Sequence, residues 1–535
     1  MKLNIYSDVL VLGTGGAGLR AAIEAHSKGV DVTVVSKAPA GMNNATVVAG
    51  GGFRAAVKGL TPEEHMEDTV RVGKNLNNSK LVRIFAKEGG KRVAELSEFG
   101  VEMKLREGGA QVGEIPTLMG LGLTRPLVEY LRDKGVRMIE NLIVTKIIKE
   151  GDAVSGAVGY HLREEVPVIF NSKSVILATG GAGALYKRTD CPLVTTGDGY
   201  RLGYHAGATL RDMEFVQFFP LAVAEPGSPP FLLGGSITEK GRIINNLGED
   251  IPEKYNITDR PLVLKSRDLL SRAVMLEILE GGGVDGAILV DAREVFKKMS
   301  EDEMASTGPI SYLSDKLKAA EKPIRAAPIC HFCMGGLDIT PSGDTGVDGL
   351  YACGEVVGGI HGANRHGGNA LTSIIVFGSR AGASAAEYVK GRDFQQVDSL
   401  ATPEIDRYNE IISRRRGNSP HTIMSELRES MLINAGIIRD AVKLTEAFNK
   451  IQELRDRASR LSADAGRDML FALQLPMALD ASEMIIRSAM HRRESRGAHY
   501  RTDFLDQDPD WRRTVILRKL SNGAMSVSTR PLNNP

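Results

Sequence analysis

Two short stretches of this chain put groups that bind anions into backbone that a ligand can approach closely. His331 opens His331-Phe-Cys-Met-Gly-Gly336, and Arg365 lies within His361-Gly-Ala-Asn-Arg-His-Gly-Gly-Asn369. An arginine fork grips a carboxylate through two parallel hydrogen bonds, which the point charge of lysine cannot do. Glycine on either side removes the side chains that would keep a substrate or cofactor away. The chemistry expected of this pair is the holding of a carboxylate.

Cys330 and Cys333 flank His331 as a CxxC pair. With no second pair they do not make a zinc site. They are either a dithiol or two small buried residues lining the turn. Cys191 and Cys353 read as structural, and four scattered cysteines fit neither a disulfide scaffold nor the ligands of an iron–sulfur cluster.

Residues so placed need a scaffold, and its beginning is legible at the N-terminus. The apolar run Asp8-Val-Leu-Val-Leu12 is followed by Gly13-Thr-Gly-Gly-Ala-Gly18, a helical pattern and a second run, Val32-Thr-Val-Val35. Strand, glycine turn, helix and strand make a βαβ unit whose helix N-terminus receives a pyrophosphate, so Gly13, Gly15, Gly16, Ala17 and Gly18 are expected at a dinucleotide. The second strand ends in Ser36-Lys37 rather than an acid, and Ser36 can hydrogen-bond a ribose. Two later apolar strands, 174–178 and 349–353, end in Thr179-Gly180 and Gly354-Glu355, which returns distant segments to one sheet.

The expected fold is α/β: a Rossmann-like nucleotide domain in two parts, 1–225 and 331–400, an inserted α+β cap at 226–330, and a C-terminal helical domain at 401–535. At 535 residues, with 42% hydrophobic and 25% charged residues, the chain exceeds one ordinary core. A formal net charge of +1 gives no electrostatic reason to expect nucleic acid. No apolar run approaches the roughly 20 residues that span a bilayer, and no signal-peptide core is visible, so the cytoplasm is the expected location. The run Arg414-Arg-Arg416 reads as a solvated helix end.

Taken together these motifs resemble the flavoprotein subunits of the succinate dehydrogenase and fumarate reductase family, with L-aspartate oxidase and adenylylsulfate reductase as relatives. The resemblance covers nearly the full length. It rests on the N-terminal glycine motif, the Ala-Thr-Gly-Gly turn at 178–181, Thr196-Gly-Asp-Gly199, Ser266-Arg-Asp-Leu-Leu-Ser-Arg272, His331-x-x-Met-Gly-Gly336, Gly354-Glu355, His361-Gly-Ala-Asn-Arg365 and Arg493-Glu-Ser-Arg-Gly-Ala-His499. It implies FAD and hydride transfer through flavin N5, with Lys37, Ala45, Thr46, Gly51, Gly52, Asp198, Asn369 and Leu371 joining the cofactor residues named above. It also implies a small carboxylate substrate and an iron–sulfur partner subunit, which would make any membrane attachment peripheral.

The resemblance makes Arg365 and His331 the ligands of a substrate carboxylate and Arg267 the arginine that moves a proton opposite the hydride. Arginine has a solution pKa above about 12, so that role requires a dry, closed site. This chain departs from the family at three places. Asn43-Asn-Ala-Thr46 has Ala45 where covalent members have histidine, so FAD is expected to be non-covalent. Phe219 replaces a histidine that meets the second carboxylate of a dicarboxylate. Leu233-Gly-Gly235 falls where a threonine–glutamate pair is expected, and Thr238-Glu239 comes several residues later. The altered pocket favours an enoate other than fumarate; ordinary fumarate reduction or succinate oxidation, or a flavin electron-transfer subunit without its own substrate site, are the alternatives.

Overall fold

Residues 2–115, 117–300, 308–464 and 466–532 are described in the computed structural model. A parallel strand covered on both faces needs a continuous apolar run rather than alternation, and Leu3–Leu12 and Val32–Val35 supply one, with Val9 to Leu12 and all of Val32–Val35 buried. Leu3–Leu12 pairs in parallel with Val32–Val35 on one side and Val166–Leu177 on the other. Seven strands complete this sheet, running Arg137–Ile139, Val32–Val35, Leu3–Leu12, Val166–Leu177, Ala153–His161, Leu142–Glu150, with Leu350–Ala352 also beside Val166–Leu177. On the edge away from Leu3–Leu12, Val166–Leu177 serves two partners along its length. Its first half takes antiparallel Ala153–His161, and its last residues take parallel Leu350–Ala352, so the chain that left after residue 178 returns to the same sheet.

Helices Gly16–Ser27 and Asn369–Tyr388 pack on each other over this sheet. A Cβ at Gly382 would lie 2.2 Å from the Ala21 carbonyl oxygen, so only glycine permits their approach.

A second, antiparallel sheet orders Val216–Val223, Ile324–Cys333, Ile288–Asp291 and Arg242–Ile244. It has its own apolar core, which includes Leu221, Ile243, Leu270, Val290 and Phe296. This sheet begins before residue 226 and runs past 330, because pairing continues through the connection: Val216 stands opposite Cys333. Helix Arg267–Leu279 lies on it.

The C-terminal part carries the helices Asp398–Ser413, Pro420–Asn434, Ala441–Ala458 and Arg467–His491, of which the last three pack together. It is not wholly helical. The hairpin Arg513–Lys519 and Met525–Pro531 joins Leu210–Arg211 and Gly336–Leu337 in a four-stranded sheet. Among the described residues one helix, Asp468–His491, is long and apolar enough to cross a membrane, a length that the apolar runs of the sequence do not suggest. Its most apolar window is 89% buried within the protein, which is where a core helix of this composition belongs.

Candidate functional site

A cavity of about 450 Å³ runs from the C-terminal end of the seven-stranded sheet to the second sheet. That volume lies within the range of small-molecule sites. At the sheet end its wall holds Gly13, Gly15 and Ala17 from the first turn, Ser36 and Lys37 from the second strand's end, and Thr179, Gly180, Gly354 and Glu355 from the two later strand ends. The open edge of a doubly wound sheet, where strands end and helices begin, is where such folds bind ligands.

Several features of this end suit an elongated ligand bearing phosphates. Helix Gly16–Ser27 starts from Gly15 with no side-chain cap, which leaves its N-terminus open to an anion. The Gly16 N–H is taken by Thr46 Oγ1 at 3.1 Å, which fastens the segment 45–48 over the turn. Ala45, Thr46, Gly51 and Gly52 line the wall there. Lys37 Nζ donates to Asp198 Oδ2 at 2.7 Å and to the Val194 carbonyl, holding Asp198 at the wall. The hydroxyl of Thr179 is buried with no partner among the described residues. The Ser36 hydroxyl donates to the carbonyl of Ala38 and faces the cavity beside it.

At the other end stand Arg267, His331, Arg365 and Phe219. Arg267 opens its helix, donating from Nε to the Val263 carbonyl at 3.0 Å and from Nη1 to Gln217 Oε1 at 3.1 Å. The amide of Gln217 donates to Asn364 Oδ1 at 2.7 Å and to the Arg365 carbonyl at 3.0 Å, so one side chain ties both arginine segments together. Arg365 Cζ lies 4.5 Å over the Phe332 ring, and its buried Nε has no partner among the described residues. Neither arginine has an acid in direct contact among those residues. Burial lowers Arg365 to about 10, and burial together with the Arg365 charge lowers Arg267 to about 9.

His331 Nδ1 is 2.6 Å from Asp190 Oδ2. A carboxylate only accepts, so Nδ1 carries the proton and Nε2 is left with its lone pair. Burial lowers the histidine's pKa, against the upward pull of Asp190. Glu355 Oε1 accepts the Cys333 N–H at 2.9 Å, and burial raises that carboxyl to about 7. His361, buried against Phe332, is pushed down to about 3 by desolvation and is neutral.

Leu371 also lines the cavity. Gly16, Gly18 and Asn369 lie off its wall. A Cβ at Gly18 would come within 1.9 Å of the Gly13 carbonyl oxygen, so this glycine closes helix onto strand instead of touching a ligand. Asn369 accepts from His65 Nε2 and donates to Thr69 Oγ1, each at 2.9 Å, which uses its amide in the protein. Cys330 and Cys333 are buried free thiols, raised by burial. Thr238 donates to the Gly235 carbonyl at 3.1 Å, and Glu239 accepts the Leu262 N–H at 2.7 Å, so neither reaches the cavity. Sequence reading missed Asp190 and Gln217; the only local signal for Gln217 is its place two residues before Phe219. It also missed Leu232 and Leu264, which add apolar surface to the wall.

Known proteins match this chain over most of its length. A family model described as FAD binding domain matches residues 8–371, and one described as fumarate reductase flavoprotein C-term matches 424–534. One subunit of the fumarate reductase (CoM/CoB) of Methanothermobacter marburgensis is 34% identical over 97% of this chain and 98% of its own length. The L-aspartate oxidase of Streptomyces coelicolor is 30% identical over 98% of this chain and 93% of its own. Among solved structures, Mycobacterium smegmatis Sdh1 in complex with UQ1 superposes with a TM-score of 0.87 at 30% identity, covering 100% of this chain and 95% of that one.

Proposed function

The chain belongs to the fumarate reductase and succinate dehydrogenase flavoprotein family and is an FAD-dependent oxidoreductase acting on CH–CH groups, and from this we propose that it reduces an α,β-unsaturated acid carrying one carboxylate. Bound FAD supplies the hydride at N5. The uncapped helix start, the unpartnered Thr179 hydroxyl and Asp198, held by Lys37, fit that cofactor at the sheet end of the cavity. Ala45 presents only a methyl group at the wall, so the flavin is held without a covalent bond.

The substrate carboxylate lies against Arg365 and His331. Arg365 has an unpartnered Nε to offer, and the proton on Nδ1 of His331 is fixed by Asp190. Arg365, a donor set out in advance of reaction, stabilises charge that builds on the carboxylate as hydride reaches the β-carbon, while neutral His331, with its one proton given to Asp190, shapes that end of the site without donating to the substrate. Arg267 then gives a proton to the α-carbon; its desolvated guanidinium, without an acid in contact, releases that proton more readily than arginine does in water. The sheet that carries Phe219, with helix Arg267–Leu279 upon it, acts as the cap that shuts water out.

Phe219 carries the choice of a single carboxylate. Its ring lies between Arg267 and His331, with Cζ of Arg267 5.0 Å from its centroid and the His331 ring at 5.7 Å. A second carboxylate brought there meets an aromatic face and loses hydrogen bonds worth about 1.5–3 kcal/mol each. An apolar substituent suits Phe219, Leu232 and Leu264. Electrons reach the flavin from an iron–sulfur partner, in keeping with the naming of relatives as subunits, and the chain works in the cytoplasm or beside a membrane through that partner.

The test is turnover of the isolated holoprotein with reduced viologen, comparing fumarate with a panel of monocarboxylic enoates. The expected result is a higher kcat/KM for at least one monocarboxylate. Faster turnover of fumarate than of every monocarboxylate would return the chain to ordinary fumarate chemistry.

A further inference from the structure

Asp190 shares the cavity wall with Arg267, His331, Arg365 and Phe219. Its backbone is fastened, since Asp190 N donates to the Cys330 carbonyl at 3.2 Å and Thr189 bridges to the same residue. One carboxylate oxygen accepts from His331 at 2.6 Å; among the described residues the other meets only the Cys191 thiol at 3.7 Å. A neutral imidazole and a thiol leave the charge of this carboxylate uncancelled. Among the described residues that line the cavity, the charged groups placed at this end are therefore two arginines and Asp190; the other lining acids, Asp198 and Glu355, stand at the sheet end.

We propose that Asp190 is a specificity-determining counter-charge, which offsets one of the two arginine charges so that the cavity matches a substrate with one negative charge and turns away a dianion. This rests on the reading that the ligand is a carboxylate. The His331 ring links Phe219, 5.7 Å from it, to Asp190, 2.6 Å from its Nδ1, and two like charges on the order of 8 Å apart across that ring, at an effective dielectric near 20, repel enough to lower affinity roughly tenfold to a hundredfold. Repulsion of the wrong ligand is as effective in specificity as attraction of the right one. The neutral thiols Cys191 and Cys330, both raised by burial, add nothing to the count.

The experiment titrates the oxidised holoprotein with butyrate and with succinate, following the perturbation of the flavin spectrum. Asp190→Asn is expected to shift the ratio of the two dissociation constants toward succinate by tenfold or more, and Asp190→Glu, which keeps the charge, to leave it near that of the parent. Glu355 is present in every variant and drops out of the comparison. A ratio in Asp190→Asn within twofold of the parent, or an equal shift in Asp190→Glu, overturns the proposal. If Asp190→Asn does not retain flavin, Asp190→Ser is judged by the same criteria. Because binding is read without turnover, a parent protein that binds both acids but reduces no enoate would sink the hydride-transfer reading while the charge ratio stays readable.

Discussion

Arg267 holds its guanidinium carbon 5.0 Å over the centre of the Phe219 ring. A cation on an aromatic face gains about 0.5–2 kcal/mol, more as water is removed. The contact lets a buried arginine stay at the wall without a carboxylate in direct contact with it, and Phe219 stands at the position where the resemblance implies a histidine for a second carboxyl group.

Phe219→Ala would leave a cavity costing about 3–5 kcal/mol, so histidine is the cleaner test. Phe219→His is expected to raise kcat/KM for fumarate relative to a monocarboxylic enoate by roughly tenfold or more, the value of one hydrogen bond to a charged group. Steady-state assays of both substrates with parent and variant measure it. An unchanged ratio would mean that the ring does not exclude the second carboxylate.

The pH profile of turnover reports on Arg267. Its proton is present below about 9 and lost above it, since burial first and the charge of Arg365 next bring it down to that value. Reduction of substrate consumes this proton, so kcat in that direction should fall as pH rises through about 9. Oxidation needs the vacant site and should gain over the same range. Arg267→Gln should lower kcat by roughly a hundredfold to ten-thousandfold, the usual weight of a positioned acid, and abolish the step in the profile. A step that survives in the variant would belong to another group.

Ala45 makes a yes-or-no prediction. Acid precipitation of the holoprotein should leave the yellow colour in the supernatant, because no side chain at that position can attack the flavin. Colour retained by the washed, denatured pellet would show a covalent link elsewhere on the chain.

What could be read from the sequence was local. The βαβ unit is continuous, and Thr179 and Gly354 each follow directly on an apolar strand, so their meeting at one sheet edge follows from the strand order. Asp190 is separated from His331 by 141 residues, and its relevance arises only when the loop before the TGDG motif crosses Ile324–Cys333. Asn369 sits inside a glycine-rich motif that points to a ligand, yet His65 and Thr69, some 300 positions away, take its amide. The closing hairpin had a local signal, Asn522-Gly523 between two strands rich in β-branched residues. Its partners at 210 and 336 lie too far off in sequence for pattern alone to find.

Glu355 ties the cofactor end of the cavity to stability. Burial raises its carboxyl from 4.5 to about 7, although the Cys333 N–H pulls the other way. A carboxyl raised in the folded state adds stability that is whole below the unfolded value and is lost as pH climbs to the folded one. Flavin-free protein should therefore lose roughly 3 kcal/mol of unfolding free energy between about pH 4.5 and 7 from this group, at 1.36 kcal/mol per pKa unit. Glu355→Gln keeps the shape and removes the titration, so its urea-unfolding free energy should run flatter across that window than the parent's. An identical slope in the two proteins would place the pH dependence in other groups and Glu355 in a more solvated position.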